Sequence, residues 1–272
     1  MPDPRVFLGP HAPGMKLADL HVHTDRSDGT LSMEQCLRVA QARGLSGIVF
    51  TDHDAIATGH EARELCARRG IPLEVIPCAE ITTATAHLFG FDLEADVRPG
   101  MSVGATVEAI VRGGGWVGVP HPGSLLTPSV PLADVLAMAT AGLPVAVEVY
   151  NASVRDFRLV AHWRGLADSN EATRRFYLEH RPLLGPALAG TDAHYRTIGR
   201  GLVAYTGELR QALQRKETSV LYTTEWERLT PWDLVVHRRR LRDLAARRAV
   251  QAAGHAALAD GAEPVEMAGN WS

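Results

Sequence analysis

Cysteine is scarce in this chain of 272 residues: only Cys36, Cys66 and Cys78 occur, and none are spaced Cys-x-x-Cys. An odd, scattered set of three excludes a disulfide framework. It points to a reducing compartment, read here as the cytoplasm. Strong charge of one sign is also missing. The net charge is −3, so the whole molecule does not attract nucleic acid as a basic binding protein does. No run approaches the roughly 18 apolar residues of a membrane span. Residues 1–15 are proline-rich without a long apolar stretch, and read as neither signal peptide nor anchor. Internal repeats and low-complexity segments are absent. What remains is an ordinary globular composition, 46% hydrophobic and 22% charged. The length suits one barrel-sized α/β domain.

Short apolar runs alternate with helical stretches, the pattern of an α/β protein. Strands are expected at 17–21, 47–51, 73–77, 86–91, 116–120, 145–149 and 187–190, with weaker runs at 202–205 and 220–223. Many are apolar throughout, as in strands buried on both faces. Ser32-Met33-Glu34-Gln35 is a Ser-x-x-Gln capping box that opens a helix ended by Gly44. Further helices are expected at 56–69, 103–112, 132–141, 170–180 and 208–216, and one long Ala/Arg/Leu-rich helix at 232–257. Residues 151–169 read as an irregular connection. Seven or more β/α units in this length favour a barrel over an open sheet.

The chemistry lies where these strands end. Six histidines and three acidic residues recur there: His21, His23, Asp28, His53, Glu80, His87, His121, Asp192 and His194. Imidazole and carboxylate are the ligands of hydrolytic metal sites. Nine donors exceed the needs of one ion, which suggests a polynuclear centre. His21 and His23 close the first strand, and alternation sends both to one side. Asp52 and His53 follow the second strand, Glu80 the third, His121 the fifth, Asp192 and His194 the seventh. His87 alone stands at the head of a strand. In parallel α/β folds functional groups gather at such strand ends. The other six histidines, His11, His60, His162, His180, His237 and His255, sit without partner motifs and read as ordinary surface or core residues. Asp25 and Asp54 flank the candidates. Asp25 reads as a capping group; Asp54 is open between capping and proton transfer.

Four segments in order resemble the PHP (polymerase and histidinol phosphatase) metallohydrolases: His21-Val22-His23-Thr24 with Ser27-Asp28-Gly29, Thr51-Asp52-His53-Asp54, Pro120-His121-Pro122, and Thr191-Asp192-Ala193-His194 followed by Ile198-Gly199. The resemblance runs from Leu17 to about Tyr205. It implies a distorted (β/α)7 TIM-like barrel holding two or three divalent ions of manganese, iron or zinc. Carried over by motif, all nine residues would be ligands, with His21, His23, Asp28, His53, Asp192 and His194 nearest the chemistry. Glu148-Val149-Tyr150-Asn151 resembles the family's Glu-x-x-Asn stretch. Glu148 would then pair inside the barrel and Asn151 line the substrate pocket. The implied reaction is hydrolysis of a phosphate ester by a hydroxide bridging two ions. Arg26 and Arg200 are candidates for meeting the phosphate, though most arginines are simply solvated.

The expected organisation is an N-terminal extension at 1–15, the metallohydrolase barrel at 16–225, a helix packed on it at 226–260 and a disordered tail at 261–272. Some relatives that act on nucleotides or RNA ends carry a long insertion before Pro-His-Pro. Here only 33 residues separate His87 from His121. A small phosphorylated metabolite or nucleotide is therefore the favoured substrate. The alternative is a 5′-end-directed exonuclease or nucleotide phosphatase of the same family, recruited by the arginines at 238–242 and 247–248. That helix lacks the interleaved aromatics single-strand binders use. It reads first as a solvated amphipathic helix. A non-catalytic metal-binding module ranks last, because every ligand motif is retained. No membrane partner is expected.

Overall fold

The computed structural model describes residues 4–124, 127–156 and 169–223. Its elements run β1 (Arg5–Leu8), β2 (Lys16–Val22), α1 (Met33–Ala42), β3 (Gly47–Phe50), α2 (Ala57–Arg69), β4 (Glu74–Val75), β5 (Cys78–Thr82), β6 (His87–Phe91), α3 (Val103–Arg112), β7 (Trp116–Val119), α4 (Leu132–Thr140), β8 (Ala146–Asn151), α5 (Ala152–Asp156), α6 (Ser169–His180), β9 (Ala187–Gly190), β10 (Gly201–Tyr205), α7 (Leu209–Gln214) and β11 (Ser219–Tyr222). The expected helix at 226–260 and the tail at 261–272 lie outside the described residues.

Local signals account for the helix ends. Ser32 Oγ accepts from the Gln35 N–H at 3.3 Å, and the Ser32 N–H donates to Gln35 Oε1 at 2.8 Å, the reciprocal capping box. Gly70, with φ of 62°, ends α2 in the left-handed region that glycine enters at little cost. Ser102 Oγ caps α3 through the Ala105 N–H.

The strands form two sheets. One has the order β1-β11-β10-β2-β3-β4 and the other β5-β6-β7-β8-β9. Neither closes on itself. Two single bridges link them, Val22–Ala193 from the end of β2 to the turn after β9, and His53–Glu80 from the turn after β3 to β5. The seam between β4 and β5 opens because the run at 73–77 yields a strand of two residues. Pro77 has no N–H to continue the ladder. Residues 78–82, not expected as a strand, form β5 and pair antiparallel with β6 in the register Glu80↔Phe89. Glu80 therefore sits within a strand and not in a loop after one. A strand β1 also lies inside the expected N-terminal extension. It pairs with β11, and Phe7 reaches across to Tyr150 with ring centroids 5.0 Å apart.

The topology explains the odd position of His87. Strand β6 runs antiparallel to both β5 and β7. Its start thus lies at the same end of the sheet as the finish of β7. Buried apolar side chains line both sheets: Leu88, Phe89, Val147 and Val203 belong to one cluster, and Ile48, Phe50, Leu37 and Leu202 to another. Burial of this kind is the main source of stability, and it leaves the strand ends free to carry polar groups.

Candidate metal centre

The nine expected ligands converge at that end. Glu80 reaches five histidines. Its Oε2 lies 3.1 Å from His21 Nε2 and from His23 Nε2, and 4.0 Å from His53 Nδ1. Its Oε1 lies 2.9 Å from His87 Nδ1 and 3.1 Å from His121 Nε2. Asp192 Oδ1 sits 3.4 Å from His21 Nε2 and from His23 Nε2, and 3.5 Å from His194 Nδ1. Asp28 sits 3.0 Å from His194 Nε2, 3.4 Å from His23 Nδ1 and 3.6 Å from His53 Nε2. Three groups of donor atoms lie close enough together for each to hold an ion: His23, Asp28, His53 and His194; His21, His23 and Asp192; His53, Glu80 and His87. His121 adjoins the third through Glu80.

Burial and charge suit cations. Burial pushes Asp28 upward, but His194 and His23 hold it below the usual carboxylate range. Glu80 is likewise held well below that range, by His21 and His53 against its burial. Asp192 is lowered by His21, His23 and His194. Burial pulls the imidazoles down, yet carboxylate neighbours push His23 up to about 10 and His21 well above its ordinary value. His53, where burial dominates, falls below it. Ionised carboxylates thus draw positive charge into a buried site. A divalent cation would supply that charge in place of the protons.

The donor set fits such ions. It is all nitrogen and oxygen, matching manganese, iron or zinc. The three cysteines are buried and free elsewhere. The buried Nδ1 atoms of His23 and His53 have no hydrogen-bond partner among the described residues. Outer hydrogen bonds aim other rings inward. His21 Nδ1 pairs with Glu148 Oε1 at 2.9 Å, His121 Nδ1 with Thr127 Oγ1 at 3.1 Å, and His194 Nδ1 with the Asp192 carbonyl at 3.1 Å. Each turns Nε2 toward the cluster, the usual device that fixes a ligating histidine.

The backbone is shaped for the same end. Asp54, His121 and Asp192 have φ of 59°, 31° and 55°. Left-handed backbone at non-glycine residues costs energy and gathers at functional sites. Gly190 lets β9 lie directly on His21, since a Cβ there would meet His21 Cβ at 2.2 Å.

The other expected site residues are placed differently. Arg26 forms an ion pair with Glu61 of α2 at the surface. Asn151 is fully buried. Its Nδ2 donates to Glu148 Oε2 at 3.0 Å and to Asp192 Oδ2 at 3.3 Å, while its Oδ1 accepts from the Val154 N–H. It braces ligands. Arg200 is buried, and its N–H donates to Thr191 Oγ1 at 2.8 Å. Asp54 Oδ1 accepts from the Thr82 N–H at 2.7 Å, which joins the turn before α2 to the end of β5.

Sequence reasoning missed Asp19. This buried carboxylate accepts from the Thr191 N–H at 2.8 Å, the Thr191 hydroxyl at 2.5 Å and the Gly199 N–H at 2.6 Å. It thereby fixes the turn that presents Asp192. A signal existed: Asp19, His21 and His23 alternate along β2 on one side.

Fold and cluster together define a mixed α/β protein with groups of side chains that could hold metal ions. Among the described residues no helix is long and apolar enough to cross a membrane. The PHP domain matches residues 19–127, a segment that includes His21 to His121 but not Asp192 or His194. The uncharacterized protein MJ1587 of Methanocaldococcus jannaschii is 32% identical over 151 residues, covering 51% of this chain and 84% of that protein. The 5′-3′ exoribonuclease Rnm of Escherichia coli is 36% identical over 80 residues, 28% of this chain and 27% of the enzyme. Phosphoribosyl 1,2-cyclic phosphate 1,2-diphosphodiesterase of Eggerthella lenta is 34% identical over 100 residues, 34% of this chain and 37% of the enzyme. The chain thus spans well under half the length of either named enzyme. A two-domain protein from Bacteroides vulgatus containing a predicted PHP-like metal-dependent phosphoesterase shares the fold, with a TM-score of 0.57 at 18% identity, over 80% of this chain and 68% of that one. The chain belongs to the PHP family of metal-dependent phosphoesterases.

Proposed function

We propose that the protein hydrolyses a phosphate ester of a small metabolite or nucleotide. The carrying observation is the convergence of six histidines on the three carboxylates Glu80, Asp28 and Asp192. His23, Asp28, His53 and His194 would hold one ion, and His21 with Asp192 would serve a second. Glu80, His87 and His121 would serve a third position. When bound, such ions polarise a phosphoryl oxygen and make water a better nucleophile near neutral pH. The residues of the chain do the rest. Glu148 orients His21, Thr127 orients His121, and Asn151 steadies Asp192. The two sheets are read as halves of one distorted barrel within 16–225, with the donors at its mouth. Buried, free cysteines favour a cytoplasmic setting.

Two features favour a small substrate. Between β6 and β7 the chain has room for little beyond α3, so no large lid covers the site from that side. The diphosphodiesterase similar to this chain is also named for a small cyclic phosphate. The second reading, a 5′-end-directed exonuclease, is favoured by the similarity to the exoribonuclease. The test is a panel of aryl phosphates, sugar phosphates, nucleotides and short RNAs, assayed after manganese loading with His23→Ala alongside. Turnover of small esters above that variant supports the first reading. Turnover of RNA alone moves the assignment to the second, and no turnover above the variant rejects both.

A further inference from the structure

A further buried carboxylate lies beside the centre without being one of its nine donors. Asp52, just after β3, is fully buried. Its Oδ1 accepts from the Thr24 N–H at 2.7 Å and from Ser27 Oγ at 2.6 Å. Its Oδ2 accepts from Thr24 Oγ1 and from Thr58 Oγ1, both at 2.6 Å. A carboxylate offers about four acceptor positions. Asp52 has therefore filled its own and has none left for an ion.

What it grips is informative. Thr24 follows His23, and Ser27 precedes Asp28. The Ser27 hydroxyl also lies 3.3 Å from Asp28 Oδ1, so one hydroxyl links the two carboxylates. Thr58 anchors the first turn of α2. The Asp52 carbonyl accepts from the Glu80 N–H at 3.3 Å, and His53 is the next residue. One side chain and its carbonyl thus tie together the segments that carry His23, Asp28, His53 and Glu80. The loop 24–29 is otherwise fastened by the Arg26–Glu61 ion pair and by main-chain bonds such as Gly29 N–H to the Thr24 carbonyl at 2.9 Å.

We infer that Asp52 is a positioning residue: it holds the loop 24–29 so that Asp28 meets His23, His53 and His194 in one ion position. The inference rests on the metal-centre reading above. It is tested by manganese titration and metal content of the purified full chain, with circular dichroism and melting to confirm folding. Asp52→Asn keeps shape and one acceptor oxygen, and its amide can donate to hydroxyls that turn round. Thr24→Val removes one hydroxyl without altering shape, and keeps the test decisive if the first variant misfolds. Both should raise the dissociation constant of one ion roughly 10–100-fold, the usual cost of losing an outer hydrogen bond, while the other ions bind as in the parent. His87→Ala, in a different group, should weaken a different ion, so that combining it with Thr24→Val adds the two defects. Unchanged binding in the variants overturns the inference. Equal weakening of every ion also overturns it, because the role would then be general to the fold. A parent protein that binds no ion rejects the metal-centre reading, and this inference falls with it.

Discussion

Replacing Gly190 by alanine should disable the centre from the back of a strand, without substituting any candidate ligand. A Cβ at this position would lie 2.2 Å from His21 Cβ, 2.8 Å from His21 N and 3.0 Å from Glu148 Oε1. Two of those atoms belong to the β2 strand, which has no flexible end to swing aside. Carbon atoms rest about 3.5 Å apart or more, so β2 and β9 would have to part by roughly 1.3 Å. Metal ligands tolerate only about 0.2 Å. Overpacking of this kind costs about 1–3 kcal/mol. For a domain of this size each kcal/mol lowers Tm by roughly 2–4 °C, giving about 2–12 °C in all. Thermal unfolding in chelator isolates the packing cost, and manganese titration reads the displaced histidine. A variant that melts and binds manganese as the parent does would refute the argument that this close approach sets the position of His21.

Three further outcomes follow from the same geometry. Glu148→Gln should leave the fold intact yet weaken manganese binding roughly 10–100-fold, because the amide no longer fixes the His21 ring as the carboxylate does; equal affinity by titration calorimetry contradicts this. Chelation should abolish phosphoesterase activity and lower the melting temperature, with manganese restoring both. At 100 times its dissociation constant one bound ion adds about 2.7 kcal/mol, so melting that ignores excess manganese rejects the site. Gly104→Ala should raise stability by about 0.5–1 kcal/mol, since Gly104 lies in α3 with nothing within 4 Å of a new Cβ; denaturant unfolding with no gain or a loss would show a constraint the helix does not display.

The candidate ligands are legible because their chemistry is restricted and their spacing repeats at strand ends. His21, His23, Asp192 and His194 needed no structure to be chosen. The setting of Glu80 did need one. A carboxylate inside Cys78–Thr82 breaks the apolar pattern that marks a strand, so β5 was invisible, and the reversed direction of β6 with it. Strand β1 was hidden because four residues between prolines carry almost no periodicity. The bracing groups were hard to read for another reason. Asp19 holds Thr191, 172 positions away, and Glu148 holds His21 across 127. Hydrogen bonds at such separations leave no local pattern. Asn151 shows the limit of motif reasoning: the residue type was noticed, but its burial between Glu148 and Asp192 makes it a brace.

The two seams have a consequence for how the molecule breathes. At one seam the His23 N–H donates to the Ala193 carbonyl at 3.0 Å, and the Ala193 N–H donates to the His21 carbonyl at 3.2 Å. At the other, the Asp54 N–H donates to the Glu80 carbonyl at 3.0 Å, and the Glu80 N–H to Asp52. The peptide groups that link the two sheets here thus belong to the candidate ligands or to their neighbours. Ions that hold those side chains must also slow the parting of the halves. Amide hydrogen exchange at Ala193 and Glu80 should therefore slow on metal loading and quicken on chelation, with strand-centre amides such as those of Val147 and Ile48 changing less. Metal supply would then govern the lifetime of the closed molecule as well as its chemistry.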